Sequence, residues 1–446
     1  MKKLVLFLLY SLFLVTALSC QKVDPNKLYD LKIQLLYPKE SGFGPVAGVE
    51  VTAVAVESQI PYTGITDDNG MAVIPAVADL YTLYVSESRV RHGSAYFFDG
   101  FKPQVVLTHK YDKKPFVVDI DMAVSEGTQQ VIIKELYFGG CIDFNGPPTF
   151  HQDKYLVLYN NSTIDADLSN ICIAMTLPYD SYSPNTDIVG GKLSYEDAGK
   201  IPAGHGFWTW YDGYAPILKP GEDIVIAING AVNHILAHSG SVNLSKGTFY
   251  VMYDPESGYN DPSYYPMPSL TIPLPHYMKA YKYGEGDYWP LSETSPALFI
   301  FLPPEGVTPQ SFFEDTSNED YYNGMASGKR KWVPAEWVLD ACEVFAAGYE
   351  GMNNKRLINS VDSGSLLFTN KRGYTLYRNV DEAATFANPS NYGKFFIRSY
   401  DKKADPTGID AEHQIFCGDH IIFKNTNNSG EDFHQRLEPA IHMARY

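Results

Sequence analysis

Segments in which apolar and polar residues alternate constrain this chain more than any other feature. In VAGVEVTAVAVE, apolar side chains recur at every second position, including Val49, Val51 and Ala53. This is the period of a β-strand with one buried face. Similar segments follow at intervals of about 8–12 residues between glycines and prolines, as in antiparallel sandwiches. Since 446 residues exceed one typical core, the pattern predicts an all-β chain with two antiparallel β-sandwich domains.

The N-terminus carries an uncharged apolar run, LVLFLLYSLFLVTAL, directly after Met1-Lys2-Lys3. The run is short for a membrane-spanning helix and fits a signal-peptide core, so we assign residues 1–19 to a signal peptide. It ends in ALSC, which resembles a bacterial lipobox and implies that Cys20 is lipidated at the start of a tether, 20–27. Acyl chains, at about 0.8 kcal/mol per buried methylene, would anchor the protein to a membrane. The alternative is a secretory signal that contains a cysteine by coincidence.

The acidic stretch TDDNG, residues 66–70, has the composition of either a cation site or a turn. In an EF-hand loop with Gly70 at the sixth position, the first and twelfth residues would be Ile65 and Ala76. Neither residue can supply a carboxylate, which excludes an EF-hand. Because Asp and Asn favour turns and glycine adopts a positive φ, the stretch predicts a hairpin turn between YTGI and MAVI.

Two stretches around this turn, PVAGVEVTAV and YTGITDDNGMAVIPAVADLYTLYVS, combine the patterns G-V-x-V, T-D-x-N-G and x-Y-x-L-x-V. They are similar to the carboxypeptidase-regulatory-like domains, which are sandwiches of the transthyretin and immunoglobulin-like type. The resemblance covers residues 28–125 and implies a seven-stranded module without catalytic activity.

After a polar break the strand pattern restarts with VIIKELYFGG, KYLVLYNNSTIDADLSNICIAM and LKPGEDIVIAING. Both faces of the strand around Val157 are apolar, which predicts a central strand between two layers. Another strand is predicted from Asp223 to Ala227, after a Pro-Gly turn. These signals resemble the lamin-tail domain, although Val157 stands where that family has Glu, and they assign 128–446 to an elaborated lamin-tail-like sandwich. Further along, WVLDACEVF is compatible with a short helix or a strand.

The search for catalytic chemistry predicts no catalytic residue, no metal site and no cofactor. A G-x-S-x-G nucleophile elbow and a phosphate-binding loop are both missing from the sequence. His234 and His238 have the H-x3-H spacing of two zinc ligands on a helix, but no third ligand or HExxH motif accompanies them. We therefore expect a loop with hydrogen-bonded histidines.

The negative net charge of the chain bears on which partners it can bind. A formal net charge of -17 repels phosphate backbones, so nucleic acid is not an expected partner.

Four cysteines besides Cys20 allow three pairings into two disulfides in an oxidising compartment, with free buried thiols as the alternative. These cysteines are Cys141, Cys172, Cys342 and Cys417.

The richest aromatic cluster is FWTWYDGY, residues 207–214. Exposed tryptophan and tyrosine rings can stack on sugars or anchor protein contacts, and loops at the ends of a sandwich suit either use. The alternative is that the two tryptophans belong to a strand and fill the core. The candidate binding surface consists of Trp208, Trp210, Tyr211 and Tyr214.

The order of lipobox, regulatory-like sandwich and lamin-tail-like region resembles a family of uncharacterised outer-membrane lipoproteins. The resemblance implies a non-catalytic protein, facing the periplasm or the cell surface, that binds a glycan or an envelope protein through sandwich loops. The alternative is an exported hydrolase acting on glycans or peptides. A hydrolase requires a concave pocket with convergent titratable groups in the second region, and two carboxylates or a His with a Ser facing one cleft would favour it.

Lipidation of Cys20 is tested by labelling cells with radioactive palmitate. The Cys20→Ala variant should incorporate no label, because the thiol that receives lipid is gone, whereas Cys417→Ala should be labelled like the parent protein. Continued labelling of Cys20→Ala would show that the cysteine belongs to an ordinary secretory signal.

Overall fold

A computed structural model describes residues 24–125, 127–143, 148–398, 405–442 and 446. The predicted signal peptide and Cys20 lie outside the described residues. The chain divides into two compact units, the first comprising residues up to Arg89 with Tyr96–Gly127, and the second comprising Val90–Ala95 with Thr128–Tyr446. Strands dominate both units, which confirms the predicted all-β fold class.

The first unit is a sandwich whose strands follow the order β3-β2-β5-β6-β7-β1-β4. Alternation in the sequence determines its core, since every second residue of the first strand is buried. One neighbouring pair, β1 with β7, runs parallel. Two 3₁₀ turns, Lys39–Ser41 and Tyr111–Lys113, interrupt the connections. The strands are β1 Tyr29–Leu36, β2 Glu50–Ala55, β3 Pro61–Ile65, β4 Met71–Ala76, β5 Leu80–Arg91, β6 Ser94–Val106 and β7 Val117–Val124.

The TDDNG stretch forms a turn built on one carboxylate. Asp67 Oδ1 accepts hydrogen bonds from the backbone N–H groups of Asn69 and Met71, both at 2.9 Å. These bonds, led by the one from Met71, lower the pKa of Asp67, and Gly70 has a φ of +73°. The predicted turn is therefore present. Thr66 and Ala72 form an antiparallel bridge across it, as expected for a hairpin turn. The pairing is confined to this bridge, because the ladder of β3 is with β2 and that of β4 is with β1.

The second unit contains two six-stranded sheets, β21-β20-β12-β9-β28-β29 and β22-β18-β14-β23-β26-β27, and a three-stranded sheet, β17-β25-β24. Three short pairs, β10-β11, β13-β19 and β15-β16, lie in the connections. The strands are β8 Thr128–Gln129, β9 Val131–Tyr137, β10 Cys141–Ile142, β11 Thr149–Phe150, β12 Tyr155–Asn160, β13 Ala166–Asp167, β14 Cys172–Met175, β15 Ile188–Val189, β16 Lys192–Leu193, β17 Lys200–Gly204, β18 Gly206–Trp210, β19 Ile217–Leu218, β20 Asp223–Ala227, β21 Tyr250–Val251, β22 Met278–Lys282, β23 Ala297–Phe301, β24 Glu319–Tyr321, β25 Lys329–Pro334, β26 Val338–Ala346, β27 Leu366–Phe368, β28 Thr375–Arg378 and β29 Phe433–Arg436.

The α-helices of the described residues are short and lie in the connections of the second unit. Among the described residues, no helix is long and apolar enough to cross a membrane. The α-helices are α1 Pro309–Glu314, α2 Glu382–Ala387, α3 Ala411–Phe416 and α4 Ser429–Asp432. The 3₁₀ turns of this unit are His234–Leu236, Leu274–His276, Thr316–Asn318, Tyr322–Gly324, Ala326–Gly328, Ala335–Trp337, Pro389–Asn391 and Ala440–His442.

Both large sheets of the second unit are covered on both faces. All six residues of β12 are buried, and this strand pairs with β9 and β20, which confirms its predicted central position. The predicted strand from Asp223 to Ala227 is β20. Most of WVLDACEVF forms β26, so the strand alternative is correct there.

A buried ion pair joins the two large sheets at the centre of the second unit. Arg378 of β28 donates from Nη2 to Asp340 of β26, and both side chains are almost fully buried. Asp340 Oδ2 also accepts from the backbone N–H of Ile133 at 2.6 Å, while Arg378 Nε donates to the Ile133 carbonyl at 2.6 Å. Both members of the ion pair thus bind the backbone of Ile133 in β9.

Two β-bulges bring these groups together. In β9, Glu135 pairs with Val157 and Ile133 pairs with Leu158, so Lys134 is the extra residue. In β26, Asp340 pairs with Ile300 and Val338 pairs with Phe301, which leaves the intervening residue extra. A bulge interrupts the ladder and redirects neighbouring side chains. The bulge at Lys134 is adjacent to Ile133, whose N–H donates to Asp340.

Removing the Asp340 carboxylate should destabilise the second unit strongly, because Arg378 would be left buried without its closest partner. We expect Asp340→Ala to lower the free energy of unfolding by about 3–5 kcal/mol, and Asp340→Asn to lower it less. Asp165→Ala is the control, since its pair with Lys219 is exposed and should contribute less than about 1 kcal/mol. Equal losses in chemical denaturation would contradict the central role of the buried pair.

Candidate functional site

A pocket of about 280 Å³ in the second unit combines titratable and aromatic side chains. Four connections form it: the segment before β12, the loop after β14, the loop between β21 and β22, and the loop between β22 and β23. Loops carried by a rigid sandwich are the usual place for binding residues. The lining residues are His151, Lys154, Tyr179, Asp180, Tyr264, Tyr288, Pro290, Leu291, Ser292 and Glu293.

A buried arginine holds two of these loops together. Arg356 Nη1 donates to the carbonyl oxygens of Tyr179 at 2.7 Å and Ser295 at 2.8 Å. Its Nε donates to Glu343 of β26 at 3.1 Å, and both side chains are fully buried. Arg356 therefore positions the walls of the pocket without lining it.

Hydroxyl groups connect the same loops at the pocket surface. Asp180 Oδ1 accepts hydrogen bonds from Ser292 Oγ and from Thr294 Oγ1, the latter at 2.8 Å. The Ser295 Oγ accepts from the backbone N–H of Ser181 at 3.0 Å. Because these bonds join loops that are distant in sequence, the carboxylate of Asp180 has a defined position in the wall.

The electrostatics of the pocket centre on a buried amine. Lys154 Nζ donates to the Leu291 carbonyl at 2.5 Å. Burial lowers the pKa of Lys154 to about 8, against the opposing effect of Glu293 and other nearby carboxylates. Beside it, His151 Nδ1 lies 3.1 Å from Glu293 Oε2. Burial also lowers the pKa of His151, an effect that Glu293 partly offsets.

Two tyrosines supply the aromatic surface of the pocket. The rings of Tyr264 and Tyr288 are stacked, with centroids 4.3 Å apart and an angle of 6° between the planes. Both side chains are partly exposed, and burial raises the pKa of Tyr264. Because each ring covers one face of the other, the pair offers only outer ring faces, ring edges and phenolic hydroxyls to a ligand, next to carboxylates and an amine.

The structure does not gather the four aromatic residues of the predicted binding surface into one exposed patch. Trp208 and Trp210 lie in the main core of the second unit, with 0% and 5% exposure. Their assignment to a binding surface is wrong, because strand β18 directs both rings into the packed core, as the alternative expected. Tyr211 lines a second cavity, of about 270 Å³, which Trp210 also borders. Tyr214 is 50% exposed and lies outside the pocket described above.

The two histidines in H-x3-H spacing have protein partners. His234 Nε2 is 2.8 Å from the Gly230 carbonyl, and His238 Nδ1 is 2.6 Å from Asp143 Oδ2. His238 also stacks on Phe150, with centroids 3.8 Å apart. The predicted loop with hydrogen-bonded histidines is therefore present. In the described part of the chain, no group of three His, Cys, Asp or Glu side chains could hold a metal ion.

All four cysteines of the described chain are free thiols, so the disulfide alternative is not realised. Cys141, Cys172 and Cys342 are buried, and Cys417 is exposed. Burial raises the pKa of the Cys141 thiol to about 12, which keeps it protonated at neutral pH.

Sequence reasoning missed the pocket because its residues come from distant loops. Among 52 acidic residues, nothing in the sequence distinguishes Asp180 or Glu293. A weak signal was the tyrosine-rich stretch SGYNDPSYYPMP, which contains Tyr264.

The fold and the pocket define an all-β protein with a polar, tyrosine-lined pocket in its larger unit. Residues 219–440 match the family described as "Protein of unknown function (DUF4876)". A crystal structure of a DUF4876 family protein from Bacteroides thetaiotaomicron VPI-5482 is similar to this chain, with a TM-score of 0.56 and 19% sequence identity. The alignment covers 92% of this chain and 95% of that chain. No curated protein matches the chain.

These comparisons support an uncharacterised family and a shared fold. The segment that matches the family includes the pocket residues Tyr264, Tyr288 and Glu293, whereas Lys154 and Asp180 precede it. Since the family is uncharacterised, the comparisons assign no function to the pocket.

The lowered pKa of Lys154 can be measured directly. In an NMR titration of the protein labelled with ¹³C at lysine Cε, one signal should shift near pH 8, where Lys154 loses its proton as the pH rises, well below the ordinary lysine pKa of 10.5. The Lys154→Arg variant should lack that signal, and Lys192→Arg, at an exposed lysine, should retain it. Titration of every lysine near 10.5 would contradict the buried amine.

Proposed function

We propose that this protein is an envelope lipoprotein, anchored through Cys20, that binds a glycan in the pocket of its second unit without cleaving it. The stacked pair of Tyr264 and Tyr288, beside the carboxylates of Asp180 and Glu293, is the observation that carries this proposal. A sugar ring presents an apolar face and several hydroxyls. Aromatic surfaces bind the face, and carboxylates accept hydrogen bonds from the hydroxyls.

The size of the pocket limits the part of a glycan that can enter. A volume of about 280 Å³ lies at the lower end of the range for small-molecule sites. One terminal sugar, rather than several consecutive units, is therefore the expected ligand. The loops around the pocket are held by Arg356, so the site is largely formed before the ligand arrives.

An exported hydrolase is the second candidate, because two carboxylates, Asp180 and Glu293, line one pocket. His151 and Ser292 line the same pocket, so both arrangements that would favour a hydrolase are present. We still favour binding, since both carboxylates already have protein partners. Asp180 accepts from two hydroxyls, and Glu293 pairs with His151. Carboxylates that hydrogen-bond to other residues of the pocket wall are less suited to exchange protons with a substrate.

Glycan binding is tested by screening the purified protein on a glycan array and measuring the best ligand by calorimetry. We expect Tyr264→Ala and Tyr288→Ala each to weaken binding about tenfold or more, a loss of about 1.4 kcal/mol, because the stacking surface is removed. Tyr214→Ala is the matched control, since this exposed tyrosine lies outside the pocket, and it should bind normally. Loss of binding in Tyr214→Ala alone would place the ligand on the sequence-predicted surface instead.

The same ligand distinguishes binding from hydrolysis. Incubation with the protein should release no reducing sugar, and Asp180→Asn and Glu293→Gln should alter affinity only. Release of sugar by the parent protein that disappears in Glu293→Gln would establish the hydrolase.

A further inference from the structure

A second concave surface lies on the first unit, on the solvent side of the neighbouring strands β2, β5, β6 and β7. It is a groove of about 780 Å³. Because these strands are consecutive in the sheet order, the backbone groups at the bottom of the groove are used by the strand ladders. Only side chains can therefore recognise a ligand here. The lining residues are Glu50, Thr52, Tyr84, Val85, Ser86, Asp99, Gly100, Phe101, Asp121 and Ala123.

Two exposed rings lie across the groove. Tyr84 of β5 and Phe101 of β6 are 47% and 58% exposed, and their centroids are 5.3 Å apart with an angle of 53° between the planes. Alternation would normally place polar side chains at such outward positions. Adjacent exposed aromatic residues in the middle of a sheet face indicate a surface that contacts another molecule.

The charge of the groove is entirely negative. Glu50, Asp99 and Asp121 are exposed, and no lysine, arginine or histidine lines the groove. Within the part of the chain that the structure describes, none of these three carboxylates forms an ion pair. By contrast, Glu87, next to the lining residue Ser86, pairs with Arg89.

We propose that this groove binds a cationic segment of a partner protein, with lysine or arginine side chains over the rings and between the carboxylates. The negative faces of Tyr84 and Phe101 attract cations, and the three carboxylates supply complementary charge. A formal net charge of -17 also increases the encounter rate with a basic partner. This inference does not depend on the glycan pocket.

The test measures binding of fluorescein-labelled hexalysine to the purified protein by fluorescence anisotropy. A triple variant, Glu50→Gln with Asp99→Asn and Asp121→Asn, should weaken binding about tenfold. The matched control is Glu40→Gln with Glu57→Gln and Asp68→Asn, which removes the same charge from exposed positions of the same unit. It should weaken binding no more than about twofold, since only long-range attraction changes.

The aromatic contribution is measured with Tyr84→Ser combined with Phe101→Ser, which leaves the charge unchanged and should weaken binding several-fold. Hexalysine acetylated on every amine should not bind. Equal weakening by the two charge variants, or unchanged binding by the aromatic variant, would overturn the proposal, because either result reduces the effect to net charge. Absence of hexalysine binding to the parent protein would overturn it as well.

Discussion

The second unit depends on a buried ion pair, Asp340 with Arg378, which connects its two large sheets. Charges removed from water are tolerated only when all their hydrogen-bonding groups have partners. The pair meets this condition by binding the N–H and the carbonyl of Ile133 in addition to one another. Ile133 lies next to the bulge at Lys134 and beyond Glu135, the last residue of β9 that pairs with β28, so its N–H and carbonyl bind the ion pair at the end of that ladder.

Strand β26 connects the buried ion pair to the pocket, because it carries Asp340 on one face and Glu343 on the other. Asp340 faces the opposite sheet, while Glu343, three residues later, receives Arg356 on the other side of the strand. Arg356 in turn holds the carbonyl groups at Tyr179 and Ser295, where the pocket loops begin and end. The pocket is thus supported by two fully buried charged groups of the unit, Glu343 and Arg356. A substitution at Glu343 would disturb the pocket through Arg356, although Glu343 itself does not line the pocket.

The sequence predicted those features that depend on local patterns. Alternation located the strands of the first unit, and β20 has the predicted bounds because its apolar pattern is flanked by a strong turn. The sequence identified Asp67 as a turn residue. It did not identify the strands that pair with β3 and β4 on either side of the turn, since pairing depends on the whole sheet. Bulges such as that at Lys134 break the alternation and are not visible in one sequence. Trp208 could have belonged to the core or to a surface, and only packing decided between them.

The most direct test of the pocket assignment is a crystal structure of the protein soaked with the best ligand from the glycan array. The account predicts a sugar ring packed against Tyr264 or Tyr288, with hydroxyls within hydrogen-bond distance of Asp180 or Glu293. A sugar bound elsewhere, for example at Tyr211, with the pocket left to solvent, would contradict it.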